Sequence, residues 1–252
     1  LQLQEKGLTQ PLLNAEVNRY VPKQYRDDQG HWVALTKRVR NIYASKANVT
    51  EPQNLTYEQL ADASFKGKIC TRSGKHPYNL GLIASMIAHK GEDSTENWLK
   101  GVKANLARKP QGNDRAQVKA IKEGLCDVSL GNSYYFGKML TNDEQKPWAD
   151  AVNIVYPNQK DRGSHINVSG AVIAKHAPNK DNAAKLIAFL ASEKAQQAYA
   201  SVNMEYPVNP SVQPSGLVAS WGRFKEDAIP LTEVAKYRGA ALKLVDKVKF
   251  DL

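Results

Sequence analysis

Apolar runs with the pattern of strands alternate with helical runs along this chain, and that alternation constrains its fold more than any other feature. Residues 32–43, 68–71, 125–130, 151–156 and 168–174 have the pattern of strands, whereas residues 79–90 have that of an apolar helix. Further helices are predicted from residues 94, 114 and 179, and Asp114 with Gln117 has the spacing of a capping box. Strands that alternate with helices indicate an α/β fold with largely parallel sheets.

The overall composition is that of a globular protein with a basic surface. The 252 residues suffice for one large domain or two ordinary ones, and 42% hydrophobic residues support a real core. The net charge is +10, because 35 Lys and Arg face 25 Asp and Glu. These basic residues are scattered and interleaved with acidic ones, so a solvated surface is favoured over a nucleic-acid site. No apolar run approaches the roughly 20 residues that a membrane helix needs.

Two arginines and one Ser-Gly pair are candidate anion contacts. Arg38 and Arg40 share one face of the strand predicted at residues 32–43, where they either meet solvent or point at an anion. Ser73 and Gly74 lie between the strand at 68–71 and the helix at 79–90. The N-terminus of a helix offers free N–H groups to an anion, although ordinary capping explains most such junctions.

The two cysteines, Cys70 and Cys126, each lie in a short apolar run. A disulfide between them would suit a protein outside the cytoplasm, but two buried free thiols fit the sequence nearly as well. The sequence leaves this choice open.

Two adjacent tyrosines, Tyr134 and Tyr135, follow the strand at 125–130 in the turn Gly131-Asn132-Ser133. Neighbouring side chains of a strand point to opposite faces, whereas in the first turn of a helix they lie roughly 100° apart and can face one site. Phenolate oxygen is a hard anionic ligand that suits a small trivalent cation such as Fe³⁺. The alternative is ordinary aromatic packing, which is the commoner use of tyrosine.

With these motifs in place, the chain resembles the bacterial periplasmic ferric-iron-binding proteins, the solute-binding components of Fe³⁺ ABC importers. The resemblance extends over essentially the whole chain. It is carried by Arg72-Ser73-Gly74 with Tyr78-Asn79, by residues 104–115, by Gly131-Asn132-Ser133-Tyr134-Tyr135, by residues 169–175 and by residues 192–196.

The resemblance implies a two-lobed periplasmic binding protein type II fold, with the lobes joined by crossing strands and the metal in the cleft. Residues 1–40 would be the remainder of the first lobe with the first crossing strand, and residues 41–164 the second lobe with the tyrosines. Residues 165–215 would hold the return crossing and a first-lobe segment, and residues 216–252 the helices that pack on the second lobe. Relatives begin with a further strand–helix–strand portion, so we expect that an N-terminal part is absent here.

The resemblance also implies a site. Tyr78, Tyr134 and Tyr135 would bind Fe³⁺, and Arg38, or Arg40 on the same strand face, would hold a synergistic anion such as carbonate. Relatives that use phosphate bind it at positions that correspond to Ser73, Gly74 and Asn132.

The implied function is delivery of ferric ion to an ABC transporter permease in the inner membrane, by a soluble, monomeric periplasmic protein that is not an enzyme and binds no nucleic acid. The alternative is the same fold with another small ligand, namely a polyamine, thiamine or an organic anion. A third hypothesis, a basic module that associates with nucleic acid, is supported by the net charge alone.

Overall fold

The computed structural model describes residues 1–252. Its helices, in chain order, are α1 (Gln2–Glu5), α2 (Ala15–Tyr20), α3 (Pro77–Lys90), α4 (Glu92–Ala104), α5 (Asp114–Lys122), α6 (Ser133–Leu140), α7 (Lys146–Asp150), α8 (Lys180–Ala191), α9 (Glu193–Val202), α10 (Gly216–Ala219), α11 (Leu231–Lys236) and α12 (Arg238–Lys247). The strands are β1 (Thr9–Gln10), β2 (Val33–Ser45), β3 (Ile69–Cys70), β4 (Val128–Asn132), β5 (Val152–Val155), β6 (Ile166–Ala171), β7 (Ile173–Ala174) and β8 (Tyr206–Pro207). The predicted strands and helices are therefore present, although α3 begins two residues before the predicted start and β4 begins three residues after it.

The chain forms two compact units, each built from two separate stretches. The first unit comprises Leu1–Arg38 and Asn167–Gly222, and the second comprises Val39–Ile166 and Arg223–Leu252. The chain therefore passes from one unit to the other within β2, within β6 and again after residue 222. The division predicted from the sequence put the corresponding boundaries at residues 40, 164 and 215.

Strand β2 is the centre of the main sheet, whose order is β3-β4-β2-β5, with β6 and β8 also paired to β2. Its pairs with β4, β5 and β8 are antiparallel, as is the separate pair β1–β7, whereas β3 and β4 are parallel. The prediction of largely parallel sheets is therefore wrong. The reason is that β2 pairs with strands from distant parts of the chain, and the local alternation of strands and helices does not determine the direction of such pairs.

The hydrophobic core of the second unit forms where α3, α4, α11 and α12 pack against the sheet. Helix α3 contributes eight buried residues, among them Leu82 and Met86. Leu244, Val245 and Phe250 add the C-terminal segment to the same core. Helix α3, whose first turn carries Tyr78, is thus packed into this core.

A disulfide joins Cys70 of β3 to Cys126, which precedes β4. Both residues are buried, and the bond closes a loop of the second unit that includes α3, α4 and α5. The question that the sequence left open is settled in favour of the disulfide.

In the first unit, a buried glutamine, Gln196 of α9, forms hydrogen bonds that connect separate segments. Its side-chain amide donates to the carbonyl of Leu35 in β2 at 2.7 Å, and its oxygen accepts from the N–H of Val208 at 2.9 Å. One side chain thus joins α9, β2 and the segment after β8, and it satisfies backbone groups that would otherwise be buried without a partner. None of the helices in either unit has the length and apolar character needed to cross a membrane.

Candidate metal centre

The turn that precedes the two adjacent tyrosines is fixed against β2 from several sides. A Cβ at Gly131 would lie 2.1 Å from the ring of Tyr43, so only glycine fits there. The Tyr43 hydroxyl donates to the carbonyl of Asn132 at 2.7 Å, and the Ser133 hydroxyl accepts from the N–H of Val39 at 3.1 Å. Helix α6 therefore begins at a defined place, with both tyrosines in its first turn.

Tyr78 lies in the first turn of α3. The helix begins with Pro77, a residue that suits this position because its missing N–H is not needed there. His76 is the N-cap, and its Nδ1 accepts from the N–H of Tyr78 at 3.2 Å. Burial, and next the Arg72 guanidinium, lower the pKa of His76, which favours the neutral ring that such a cap requires. Ser73 and Gly74 lie between β3 and α3, as predicted, and the helix starts three residues after Gly74.

The structure brings the three predicted tyrosines together. The hydroxyl oxygens of Tyr78 and Tyr134 lie 3.4 Å apart, and the ring centroids of Tyr134 and Tyr135 lie 4.1 Å apart with an interplanar angle of 31°. All three side chains are half-buried. Two helix starts, separated by more than fifty residues in the chain, thus place three phenol groups in one cluster.

A buried charge network lies beneath this cluster. The Arg40 guanidinium donates to Asp114 at 2.7 Å, to Asn132 at 3.1 Å and to Asn79 at 2.6 Å, and neither Arg40 nor Asp114 is exposed. Asp114 also accepts from Arg72 at 3.2 Å and from the N–H of Asn132 at 2.9 Å. Asn79 follows Tyr78 directly and Asn132 precedes Tyr134 by two residues, so the network ties both helix starts to β2.

Asp114 is therefore not the cap of α5, and its predicted capping box with Gln117 is wrong. The cap is Asn113, whose side-chain oxygen accepts from the N–H groups of Arg115 and Ala116. Asp114 instead pairs with Arg40 and Arg72, because a buried carboxylate needs charged partners.

Cations surround the tyrosine rings. Arg40 lies 5.9 Å from the centroid of the Tyr78 ring. Three further cations, one for each ring, were missed from the sequence: Arg72 at 5.4 Å from Tyr78, Arg115 at 5.6 Å from Tyr135 and Lys138 at 5.8 Å from Tyr134. Lys138 could have been found, since it follows Tyr134 by four residues on one helix. These cations favour negative charge at the cluster.

The surroundings of Tyr134 favour the protonated form of its phenol. Burial raises the pKa of Tyr134 far above its ordinary value, and hydrogen bonds and like charge from Tyr135 and Tyr78 add to the rise. No three His, Cys, Asp or Glu side chains lie together as metal ligands would. The oxygen donors that the structure groups here are those of tyrosine.

The predicted anion contacts lie in different surroundings. Arg40 and Asn132 belong to the buried network described above. Ser73 donates its hydroxyl to Asp251 at 2.6 Å, and Gly74 donates its N–H to the same carboxylate at 2.8 Å. An anion-binding role for these four residues stays a prediction.

Arg38 belongs to the first unit. Its guanidinium donates to the Ser169 hydroxyl and lies 3.6 Å from the Glu205 carboxylate. Its role as an anion contact also stays a prediction.

Comparison with known proteins connects this geometry to a family. Residues 1–220 match the model of the bacterial extracellular solute-binding proteins. Iron uptake protein A1 of Synechocystis is 41% identical over 246 residues, which cover 97% of this chain and 68% of that protein.

Two solved structures are similar over nearly the whole chain. The apo ferric ion-binding protein A of Pasteurella haemolytica has a TM-score of 0.96 and 52% identity, over 100% of this chain and 79% of that one. The Trichodesmium protein solved with iron and citrate ligands has a TM-score of 0.95 and 38% identity, over 99% of this chain and 79% of that one. The predicted type II periplasmic binding protein fold is confirmed, as is the prediction that the chain is not an enzyme. The chain belongs to the bacterial extracellular solute-binding proteins, in the branch of the ferric-iron-binding proteins that its tyrosine motifs resemble.

Proposed function

We propose that this protein binds Fe³⁺ through the phenolate oxygens of Tyr78, Tyr134 and Tyr135. The observation that supports the proposal most directly is the approach of the Tyr78 and Tyr134 hydroxyls to 3.4 Å, with Tyr135 stacked beside them. Oxygen donors of this kind suit a hard trivalent ion, and three phenolates balance its charge.

Binding would exchange protons for the metal. Burial raises the pKa of Tyr134, so the phenol keeps its proton until a cation replaces it. A trivalent ion is a far stronger competitor for the oxygen than the surrounding side-chain cations are. We therefore expect release of about three protons for each ferric ion bound near neutral pH, one from each phenol. Acidification would reverse the exchange and weaken binding.

The surrounding cations support an anion as the remaining ligand. Arg72, Arg115 and Lys138 each lie within 6 Å of a tyrosine ring centroid, where they stabilise added negative charge. Carbonate is our first candidate, and the citrate in the Trichodesmium structure supports a small carboxylate as well. Arg38, or Arg40, together with Asn132 remain anion contacts proposed from the resemblance, whereas the other two proposed contacts, Ser73 and Gly74, already donate to the Asp251 carboxylate.

The same cations disfavour two of the alternative ligands. Polyamines and thiamine are positively charged, whereas the phenol rings of this cluster are already accompanied by arginine and lysine. The Asp114 carboxylate beneath them is paired with two arginines. An organic anion fits the charge, but it fits best as a partner of the metal. Ferric ion with a small anion is thus the ligand that the surroundings favour.

The proposed role is ferric ion delivery in the periplasm to the permease of an ABC importer. Membership of the extracellular solute-binding family supports both the compartment and the kind of partner. The Cys70–Cys126 disulfide also fits an oxidising compartment.

A visible spectrum tests the proposal. Adding ferric ion with bicarbonate should produce a phenolate-to-iron charge-transfer band. Tyr134→Phe should weaken ferric affinity by more than about 100-fold, since loss of a ligand exceeds the loss expected for an outer contact. Tyr78→Phe and Tyr135→Phe should weaken the affinity and shift the band.

Tyr237→Phe is the matched control, because Tyr237 is a half-buried tyrosine of the same unit outside the cluster. A colourless wild-type protein, or a Tyr134→Phe variant with unchanged colour and affinity, would remove the proposal.

A further inference from the structure

The carboxylate of Asp251 holds the loop that leads to Tyr78. Its two oxygens accept from the Ser73 hydroxyl at 2.6 Å and from the Gly74 N–H at 2.8 Å. Donors on two adjacent residues thus bind one carboxylate as they would bind a free anion. Asp251 lies 178 residues from Ser73 in the chain, so the contact is purely tertiary.

The neighbouring residue Phe250 reinforces the contact. Phe250 is buried, and a Cβ at Gly74 would lie 2.8 Å from its ring, so the ring rests directly on the glycine backbone. The segment that delivers these two residues is itself fixed, since Lys103 donates to the carbonyls of Val248 and Lys249 at 3.1 and 2.5 Å. Asp251 is therefore presented to the loop by an ordered support.

The same loop is held on its other side by the buried network. The Asn79 amide donates to the carbonyls of Arg72 at 3.0 Å and Ser73 at 3.1 Å, and its oxygen accepts from Arg40. Residues 72–74 are thus fastened between Asp251 and Asn79, immediately before the helix turn that contains Tyr78. A shift of this loop would move His76, whose ring caps that turn.

We propose that Asp251 is a positioning residue for Tyr78, whose carboxylate fills the Ser73–Gly74 donor pair from within the chain and so fixes the angle at which the Tyr78 phenol meets the ferric ion. The inference rests on the proposed function. It assigns the donor pair to an internal carboxylate, so that the anion accompanying iron is held elsewhere in this protein.

Asp251→Asn is the main test, since it keeps the shape and removes the charge. The amide oxygen can accept from only one of the two donors, and the amide N–H that replaces the other carboxylate oxygen can at best donate to the Ser73 hydroxyl, so both charge-assisted bonds are lost. We expect ferric affinity about tenfold weaker, in line with the value of a hydrogen bond to a charged group. The charge-transfer band should shift, because one phenolate meets the metal at a changed angle. Asp251→Glu should restore part of the affinity and the band position.

Asp246→Asn is the matched control. Asp246 lies on α12 and pairs with Lys75 at 2.6 Å, but both side chains are about half exposed, so its removal should leave affinity and colour unchanged. Ser73→Ala is a milder variant for the case that Asp251→Asn does not fold. It removes one of the two donors to Asp251, and it should weaken ferric affinity by less than tenfold.

A mutant cycle separates positioning from general stability. In a Tyr78→Phe background, Asp251→Asn should cause no further loss of ferric affinity, because the group it positions is gone. In a Tyr135→Phe background the loss should persist.

Equal losses in both backgrounds, or wild-type affinity and band position in Asp251→Asn, would overturn the inference while leaving the proposed function intact. A wild-type protein that binds no ferric ion would overturn both.

Discussion

The middle of β2 carries two arginines only two residues apart, and their surroundings differ. Arg40, in the second unit, is fully buried and is matched by Asp114 at 2.7 Å and by two asparagines. Arg38, in the first unit, donates to the Ser169 hydroxyl and lies 3.6 Å from the Glu205 carboxylate. The sequence pattern treats the pair as equivalent. The structure shows that Arg40 is part of the support under the tyrosines, whereas Arg38 has a looser ion pair.

The largest effect should follow from breaking the tighter pair. Asp114→Asn leaves the Arg40 guanidinium buried without its counter-charge, so we expect the free energy of unfolding of the second unit to fall by about 3–5 kcal/mol. Hydrogen exchange resolved along the chain would show the loss of protection in β4 and α3.

Asp150→Asn is the control for that variant. Its partner Lys146 lies at 2.6 Å, but both side chains are about half exposed, so the change should be at most about 1 kcal/mol. If Asp114→Asn and Asp150→Asn lowered the unfolding free energy by similar amounts, the buried Arg40–Asp114 pair would contribute no more to stability than an exposed ion pair.

Removing the disulfide should have the next largest effect, again confined to the second unit. Cys70→Ala with Cys126→Ala opens the loop that contains α3, and we expect a loss of about 2–4 kcal/mol in unfolding free energy. Alanine avoids placing a new polar group in these buried positions. Protection in α8 and α9 of the first unit should change little, and equal losses in both units would contradict this assignment.

The smallest effect should come from the looser pair. Glu205→Gln removes the charge 3.6 Å from Arg38 while the Ser169 contact remains, so we expect a loss of about 1 kcal/mol in the stability of the first unit, measured by the same exchange experiment. A loss as large as that of Asp114→Asn would mean that the ion pairs of Arg38 and Arg40 contribute equally to stability.

The elements of this fold were predictable where the signal is local. The strand before Tyr134 and the helix after Tyr78 follow from apolar periodicity, and the tyrosine motif pointed to a cluster that the structure does assemble. The direction of the strands was not predictable in this way, because β2 pairs with partners from distant parts of the chain.

The tertiary contacts around the site were the part that the sequence alone could not predict. Asp114 has the local appearance of a helix cap, yet it pairs with arginines 74 and 42 residues away, and the adjacent Asn113 caps the helix. Ser73 and Gly74 look like an open anion site until Asp251, from the far end of the chain, is placed on them. In both cases a polar residue has a plausible local partner, and only the tertiary fold decides between that partner and a remote one.

The assembly of the second unit from two distant stretches also constrains when it can fold. Val234, Leu244, Val245 and Phe250 belong to the same core as Ile42 and Leu82, yet they are made long after them. A chain emerging from the ribosome cannot close this core until residue 250 has been synthesised, so the unit that carries the tyrosines completes its core long after the strand and the helix at its centre have been made.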